Sequence, residues 1–391
     1  MGLEGIRVLD LSQFFSGPRA GQLLADYGAE VIKIEPPGGE AVRLLSAVLP
    51  GAERSLSILN RNKKGLTLNL KHPRGAELFR QLVKSADVLI ENFVPGTMER
   101  LGHGYETLRE LNPRLIYLAV SGFGRTGPRA NQPAYDLIAQ SAAGLVALQE
   151  NPDRTPRVLI ADFVSGAYGA LAVLAALLER ERTGKGRLID LSMQEVMYIH
   201  NYRALSARAM GERRQEMVEA LALDTLLTDP DRRLPFWNIW HTKDGLLAAV
   251  TVTDEEWRRL AEAVGVEELK KPAYSSIAGR IKNRKRGIEL LDPWFRGRTT
   301  AEAESALRAQ GVPCAPVLDL DGVNRDVQLE ARGMLAEAPH PRLGAIGVPG
   351  SPVGGSVRRA HPDAGEHNAE ILGALGVSTE ELARLKKERV I

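Results

Sequence analysis

The sequence predicts an α/β protein: a Rossmann-like large domain built on a parallel sheet, with a smaller α+β domain beside it. Three observations carry that prediction. Residues 5–11 (GIRVLDL) and 30–35 (EVIKIE) are short apolar runs separated by a helix-compatible segment. This makes a strand–helix–strand unit of about thirty residues, the length a parallel crossover needs. The same alternation returns along the first 200 residues, and after about residue 203 the rhythm changes.

Taken in order, the first strand is broken by Gly17-Pro18, which start a helix running to about Tyr27 and stopped by Gly28. Proline suits a first helical turn and glycine the residue just past a last one. The second strand is halted by Pro36, Pro37, Gly38 and Gly39. A helix is expected near Pro73–Lys84, with strands at 87–91, 115–120, 157–162 and 187–192. Apolar strands of this kind are those of a sheet covered by helices on both faces, with binding loops at their C-terminal ends. Residues 237–252 contain two apolar runs around Lys243-Asp244-Gly245, a hairpin signal. The expected domains are 1–204 (large), 205–224 (linker), 225–315 (small) and 316–391 (return linker and C-terminal part of the large domain). A helical tail begins at Asn368.

Composition narrows the function classes. The chain of 391 residues is 44% hydrophobic and 26% charged with a net charge of +2, so neither a nucleic-acid nor a strongly acidic partner is implied. The basic segment 270–286 has Tyr274 as its single aromatic residue and reads as a solvated helix face. No run approaches the roughly 18 consecutive apolar residues of a membrane span, and 167–178 comes closest. One cysteine, Cys314, precludes an intramolecular disulfide and fits a reducing, cytoplasmic setting. It reads as a buried small hydrophobe.

Asp162 is the most informative candidate. It follows the apolar run of PRVLIADFVSG and opens a long apolar helix. A carboxylate there can be an N-cap, worth about 1 kcal/mol. It can equally be a nucleophile that divides one difficult transfer into two easier ones. Other motifs are weaker. SGFGRTGP (121–128) lacks the GxGxxG spacing and opens no helix, so it reads as a turn. His361, Asp363, Glu366 and His367 lie close together but lack a helical His pair or a nearby cysteine, so no metal is expected. Lys71 and Arg100 flank the strand leading to Asn92 and Phe93, where they could meet an anion. Phe236, Trp237 and Trp240 could line an apolar pocket but suit a core equally.

Several strings in order resemble the class III CoA-transferases (CaiB/BaiF family), which include formyl-CoA and carnitine CoA-transferases and α-methylacyl-CoA racemase. They are GIRVLDLSQFFSGP, LLADYGAEVIKIEPPGG, NRNKKGLTLNLKHPRG, ADVLIENFVPGTMERLG, NPRLIYLAVSGFGRTGP, AYDLIAQ, ADFVSGAYGALAVLAALLERERTGKG, and later GVPCAPV and GEH. The resemblance implies that Asp162 is the catalytic aspartate, carrying anhydride and aspartyl-CoA thioester intermediates. It implies CoA contacts at Phe15, Ser16, Leu68, Lys71, Asn92, Phe93, Arg100 and Tyr135, and an interlocked homodimer. The substrates would be an acyl-CoA donor and a carboxylic acid acceptor, with coenzyme A as the group transferred.

Three departures stand out. A family arginine that touches the nucleotide falls at Pro36, leaving Arg43 as the expected substitute. A glutamine of the formyl-CoA branch falls at Phe15, and that branch's glycine-rich lid is missing from 205–240, so formate and oxalate are not expected as substrates. The racemase branch has a histidine where this chain has Tyr135, and a phenol is a poor base near neutral pH. The middle region LPFWNIWHTKDG looks more like the racemase branch. The catalytic position outweighs it, and acyl-CoA:carboxylate transfer is the expected activity, ahead of racemisation or an idle CoA-binding protein.

Overall fold

The computed structural model describes residues 2–48, 51–149, 151–211, 213 and 233–391. They form two compact units, 1–206 with 327–391, and 207–326. Most of the segment 205–224, read from the sequence as a linker, lies outside the described residues.

The first unit is organised by a six-stranded sheet: β1 (Arg7–Asp10), β2 (Glu30–Glu35), β3 (Lys64–Thr67), β4 (Val88–Glu91), β5 (Ile116–Ser121) and β6 (Leu188–Ser192). Its spatial order is β3-β2-β1-β4-β5-β6 and every pairing is parallel. Alternate residues of each strand feed opposite faces. Val8, Val88, Ile90, Ile116 and Leu118 pack with the helices Ser16–Asp26 and Ile160–Thr183. Leu9, Ile32, Leu66, Leu89 and Tyr117 pack with the helix Pro73–Lys84 and the C-terminal helices. Burial on both faces is why the strands read as continuous apolar runs. The chain winds one way from β1 through β3 and the other way from β4 through β6. A crevice therefore opens beyond the C-terminal ends of β1 and β4, the place where such sheets bind ligands.

Two helices approach closely beside that crevice. A Cβ on Gly166 would lie 2.5 Å from Arg19 Cβ and 2.6 Å from the Ser16 carbonyl oxygen. Only glycine lets the helix Ile160–Thr183 sit this near the start of the helix Ser16–Asp26. This helix is also the one described helix long and apolar enough to cross a membrane, and half of that stretch is buried.

One expected strand does not form. Residues 157–159 are irregular, Val158 is 65% exposed, and the helix already begins at Ile160. Three apolar residues before a helix cannot be told from a strand by periodicity. The position beside β5 is taken by β6. Further elements appear that the sequence reading lacks, among them β3 and an antiparallel hairpin of β10 (Leu335–His340) and β11 (Gly344–Pro349).

The second unit contains the expected hairpin, β7 (Trp237–His241) with β8 (Leu246–Val250), extended by β9 (Cys314–Pro316). Trp240 is fully buried and stacks on Phe295 at 4.6 Å, and Phe236 is buried with it. These two are core residues and do not line an acyl pocket, whereas Trp237 is exposed. The basic segment is less uniform than a solvated face: Arg280 is buried, paired with Asp254 at 2.7 Å and lying over Trp257. Cys314 is only half-buried.

Candidate active site

Asp162 occupies the first turn of its helix, three residues past the N-cap position Leu159. It therefore does not cap the helix. Its own backbone N–H, one of the donors a helix start leaves without an intrahelical partner, donates instead to Asp136 Oδ1 at 3.1 Å. Asp136 is buried at the start of the helix Asp136–Ala142, and its other oxygen accepts from Gln140 Nε2 at 2.5 Å. The capping work thus falls on a second carboxylate, which frees the Asp162 side chain for other use.

That side chain is 9% exposed and borders a cavity of about 150 Å³ with Ser16, Asn92, Gly122, Tyr135 and Met193. Burial pushes its pKa up to about 7, the negative charge of Asp136 adds to this, and a hydrogen bond with Ser16 opposes it. A carboxylate so placed is poorly solvated, hence more reactive as a nucleophile once ionised. For a nucleophile at this position only the ionised form would attack, so kcat/KM would rise through about pH 7. Asp136→Asn keeps an acceptor oxygen for the Asp162 amide while removing the neighbouring charge. Its pH–rate profile should move to lower pH, by about one pH unit. An unmoved profile would detach Asp136 from the titration.

The other wall comes from the loop after β1. Asn92 clamps it, accepting from the Gln13 amide at 2.8 Å and donating to the Gln13 carbonyl at 2.7 Å. Phe14 is held at φ 61°, a left-handed conformation unusual outside glycine, and its ring meets Tyr135 edge-on at 5.5 Å. Below the loop lies a buried ionic network. Lys63 pairs with Asp10 at 2.7 Å and Lys33 with Glu40 at 3.2 Å, all four fully or nearly fully buried. Lys33 donates to the Ser12 carbonyl, Asp10 accepts from the Ser12 amide and hydroxyl, and Glu40 accepts from the Phe14 amide. The strained loop is thus pinned residue by residue.

A second cavity, of about 540 Å³, adjoins the first through Gln13 and Phe93, which border both. Leu68 and Lys71 border it beside Pro36. The sequence-derived candidates therefore divide. Asp162, Ser16, Asn92 and Tyr135 meet at the small cavity, Leu68 and Lys71 at the large one, and Phe93 at both. Phe15 and Arg100 border neither: Phe15 packs against Phe163 at 6.4 Å, and Arg100 donates to Thr97 Oγ1 at 2.8 Å. Arg43, the expected substitute at the nucleotide, borders neither cavity itself but pairs with Glu35, which borders the large one. It forms a two-pronged pair with Glu35 at 2.7 and 2.8 Å and donates to the Pro362 carbonyl. Asp136, Gln13, Phe14 and Gly122 were not singled out from the sequence; Gly122 belongs to the loop read there as a plain turn.

Potential metal ligands gather away from these cavities. His340, His361 and Asp363 place ligand atoms within 4.8 Å of one another. His340 Nδ1 accepts from the Arg342 and Leu343 amides, however, which puts the ring proton on Nε2 and leaves no lone pair facing the others. Asp363 already pairs with Arg342, and Glu366 and His367 with Arg359. This grouping is not suited to a cation.

Residues 3–368 match the family model of CoA-transferase family III. Among curated proteins, the chain is 35% identical to the succinyl-CoA–L-malate CoA-transferase beta subunit of Chloroflexus aurantiacus, covering all of this chain and 98% of the relative. It is 32% identical to the formyl-CoA:oxalate CoA-transferase of Streptomyces avermitilis over 100% and 99% of the two chains. Among solved structures, a CaiB/BaiF family protein from Brucella suis superimposes with a TM-score of 0.76 at 29% identity, covering 95% of this chain and 98% of that one. Rv3272 from M. tuberculosis does so with a TM-score of 0.76 at 30% identity, over 94% and 98%. A buried, poorly solvated carboxylate on one of two neighbouring cavities fits that kinship, and the chain belongs to CoA-transferase family III, the class III CoA-transferases.

Proposed function

We propose that the protein is an acyl-CoA:carboxylate CoA-transferase that works through covalent intermediates on Asp162. The observation that carries this reading is the pair of neighbouring cavities that share Gln13 and Phe93, with Asp162 on the small one and a cation, Lys71, on the large one. A long ligand with a thiol end and a phosphorylated end suits that arrangement.

In the proposed reaction, an Asp162 carboxylate oxygen attacks the donor thioester carbonyl. The C–S bond breaks, giving an acyl–aspartyl anhydride and CoA thiolate. The thiolate attacks the aspartyl carbonyl, forming aspartyl-CoA and expelling the donor acid as its carboxylate. The acceptor carboxylate then attacks the aspartyl thioester, again releasing thiolate, which captures the acceptor acyl group and restores the Asp162 carboxylate. No net proton is taken up or lost. The thioester bond is conserved, so the cycle requires no ATP or metal ion. Ser16 supplies a hydrogen bond at the reacting oxygens, and Asp136 holds the first turn of the helix in place. Tyr135, with a phenol where the racemase branch carries a histidine, favours transfer over α-proton exchange.

The acids are not specified by these residues. The relatives named above act on dissimilar acids, and Phe15 in this chain argues against the formate–oxalate pair. The missing lid adds to that argument, but most of 205–240 lies outside the described residues. A cytoplasmic homodimer belongs to the proposal as well: Leu171 and Leu178 on the Asp162 helix are exposed apolar side chains that a second copy would cover. A monomer in sedimentation velocity would remove that part.

The direct test is incubation with a panel of acyl-CoAs, quenching with hydroxylamine and peptide mass spectrometry. A hydroxamate on the peptide containing Asp162 is the expected result. Solvent deuterium entering the substrate α-carbon with no adduct on that peptide would mean racemisation instead.

A further inference from the structure

We infer that Arg389 is a phosphate-binding residue of the large cavity, acting with Lys71 on the phosphorylated nucleotide end of the CoA substrate. This inference rests on the reading of that cavity as the CoA site. Four observations support it.

First, Arg389 borders the large cavity together with Lys71, on the side of Pro36 and Leu68. Second, both are exposed cations, and neither has a carboxylate partner among the described residues. The acidic residue on this cavity, Glu35, is already neutralised by both prongs of Arg43. The cavity therefore presents net positive charge to an incoming ligand, and an arginine fork is matched to phosphate oxygens.

Third, the position of Arg389 is determined by its neighbours. The Val390 side chain is fully buried, its N–H donates to Leu385 O at 2.8 Å, and its carbonyl accepts from the Asn69 amide at 2.8 Å, two residues from Lys71. The chain end is thereby stitched to the very loop that carries the other cation. Fourth, Arg389 itself adopts φ 54°, a left-handed conformation that costs a side-chain-bearing residue energy and that asparagine or glycine would take more readily. The long cationic side chain stands at that position all the same. Pro36 offers this cavity no cation and Arg43 is engaged, so among the described residues bordering it Arg389 and Lys71 are the cations left to meet the phosphates.

The test uses the full-length protein with Arg389→Gln, Arg389→Lys and Lys71→Ala, each checked for an unchanged melting temperature. Affinity for CoA, 3′-dephospho-CoA and 4′-phosphopantetheine is read by calorimetry, and kcat and KM with an acyl-CoA. Arg389→Gln should weaken CoA binding and raise KM roughly 10- to 100-fold with kcat nearly unchanged, as expected for a charge-assisted bond to a remote phosphate. Arg389→Lys should recover part of the loss. The effect should shrink with 3′-dephospho-CoA if the contact is the ribose phosphate. It should persist there and shrink with phosphopantetheine if the contact is the diphosphate. If Lys71→Ala weakens CoA binding while Arg389→Gln changes it less than twofold, the role given to Arg389 is wrong and the cavity reading stands. If neither variant changes CoA affinity although Asp162 still forms a hydroxamate, the nucleotide lies elsewhere and both ideas about this cavity fail.

Discussion

Asp162→Asn is expected to lower acyl transfer by at least about 10⁴-fold in kcat/KM while making the protein more stable at pH 8. The two halves have one cause. The carboxylate is buried next to Asp136, and both burial and that charge push its pKa up to about 7. Its unfolded value is near 3.8, so between about pH 4 and pH 7 the folded protein holds a proton that the unfolded chain has released. Stability contributed by this group therefore falls as pH rises through that window and stays low above it. An amide carries no charge at any of these pH values and escapes the loss. The expected gain at pH 8 is about 1–3 kcal/mol, less than the full shift implies because the amide leaves some hydrogen bonding imperfect. At pH 4, where Asp162 is protonated in the folded protein, the gain should vanish. Urea titrations at the two pH values read the difference directly. Loss of transfer without any pH-dependent stabilisation would mean that the carboxylate is better solvated than its surroundings imply. Residual transfer near the wild-type rate would dispose of covalent catalysis at this residue.

How much of this was legible in the residues follows from where the relevant energy lies. Strands β1, β2, β4, β5 and β6 are visible because each buries side chains on both faces, which leaves apolar runs such as EVIKIE and RLIYLAV. β3 is four residues, KGLT, and its pairing with β2 depends on backbone hydrogen bonds more than on composition. The β10–β11 hairpin is rich in Ala, Gly and Pro, which carry little strand signal. The apolar residues before Asp162 misled in the opposite direction, since a short run does not reveal its period. At the site, the identity of Asp162 came through resemblance, and its environment did not. Asp136 is 26 residues away in the chain and meets Asp162 only because two helix starts converge on one crevice. Likewise nothing in the spacing of Asp10, Lys33, Lys63 and Glu40 announces that they share one buried network. A buried charge looks like a surface charge until its partners are known.

That network yields the largest stability effect expected away from Asp162. Asp10 and Lys63 are both fully buried and 2.7 Å apart. Burial alone would raise the Asp10 pKa, but Lys63 and Lys33 outweigh it and hold it below the usual value. For Lys63 burial wins, pulling the ammonium down to about 8 against the attraction of Asp10. Asp10→Asn removes the attraction and leaves the burial, so Lys63 is stranded as an uncompensated cation. The cost of such a half-removed pair is about 3–5 kcal/mol. The sign of the pH dependence is opposite to that of Asp162. A lysine whose folded pKa lies below its unfolded value of 10.5 binds fewer protons when folded, so stability rises with pH between about 8 and 10.5. In the variant the lower limit of that window moves further down, and much of the lost stability should return by pH 10 as Lys63 sheds its proton. Asp10→Asn combined with Lys63→Met should be more stable at pH 7 than Asp10→Asn alone, since no unpaired Lys63 charge remains. The functional consequence follows from what the network holds. Asp10 anchors Ser12, and Lys33 and Glu40 anchor the same loop up to the strained Phe14. Loosening it should raise the KM for acyl-CoA in the double variant even where the fold is intact. A double variant with wild-type stability and wild-type KM would show that the loop keeps its shape through the Asn92 clamp and the Lys33 and Glu40 contacts, and that the Asp10–Lys63 pair has no part in forming the site.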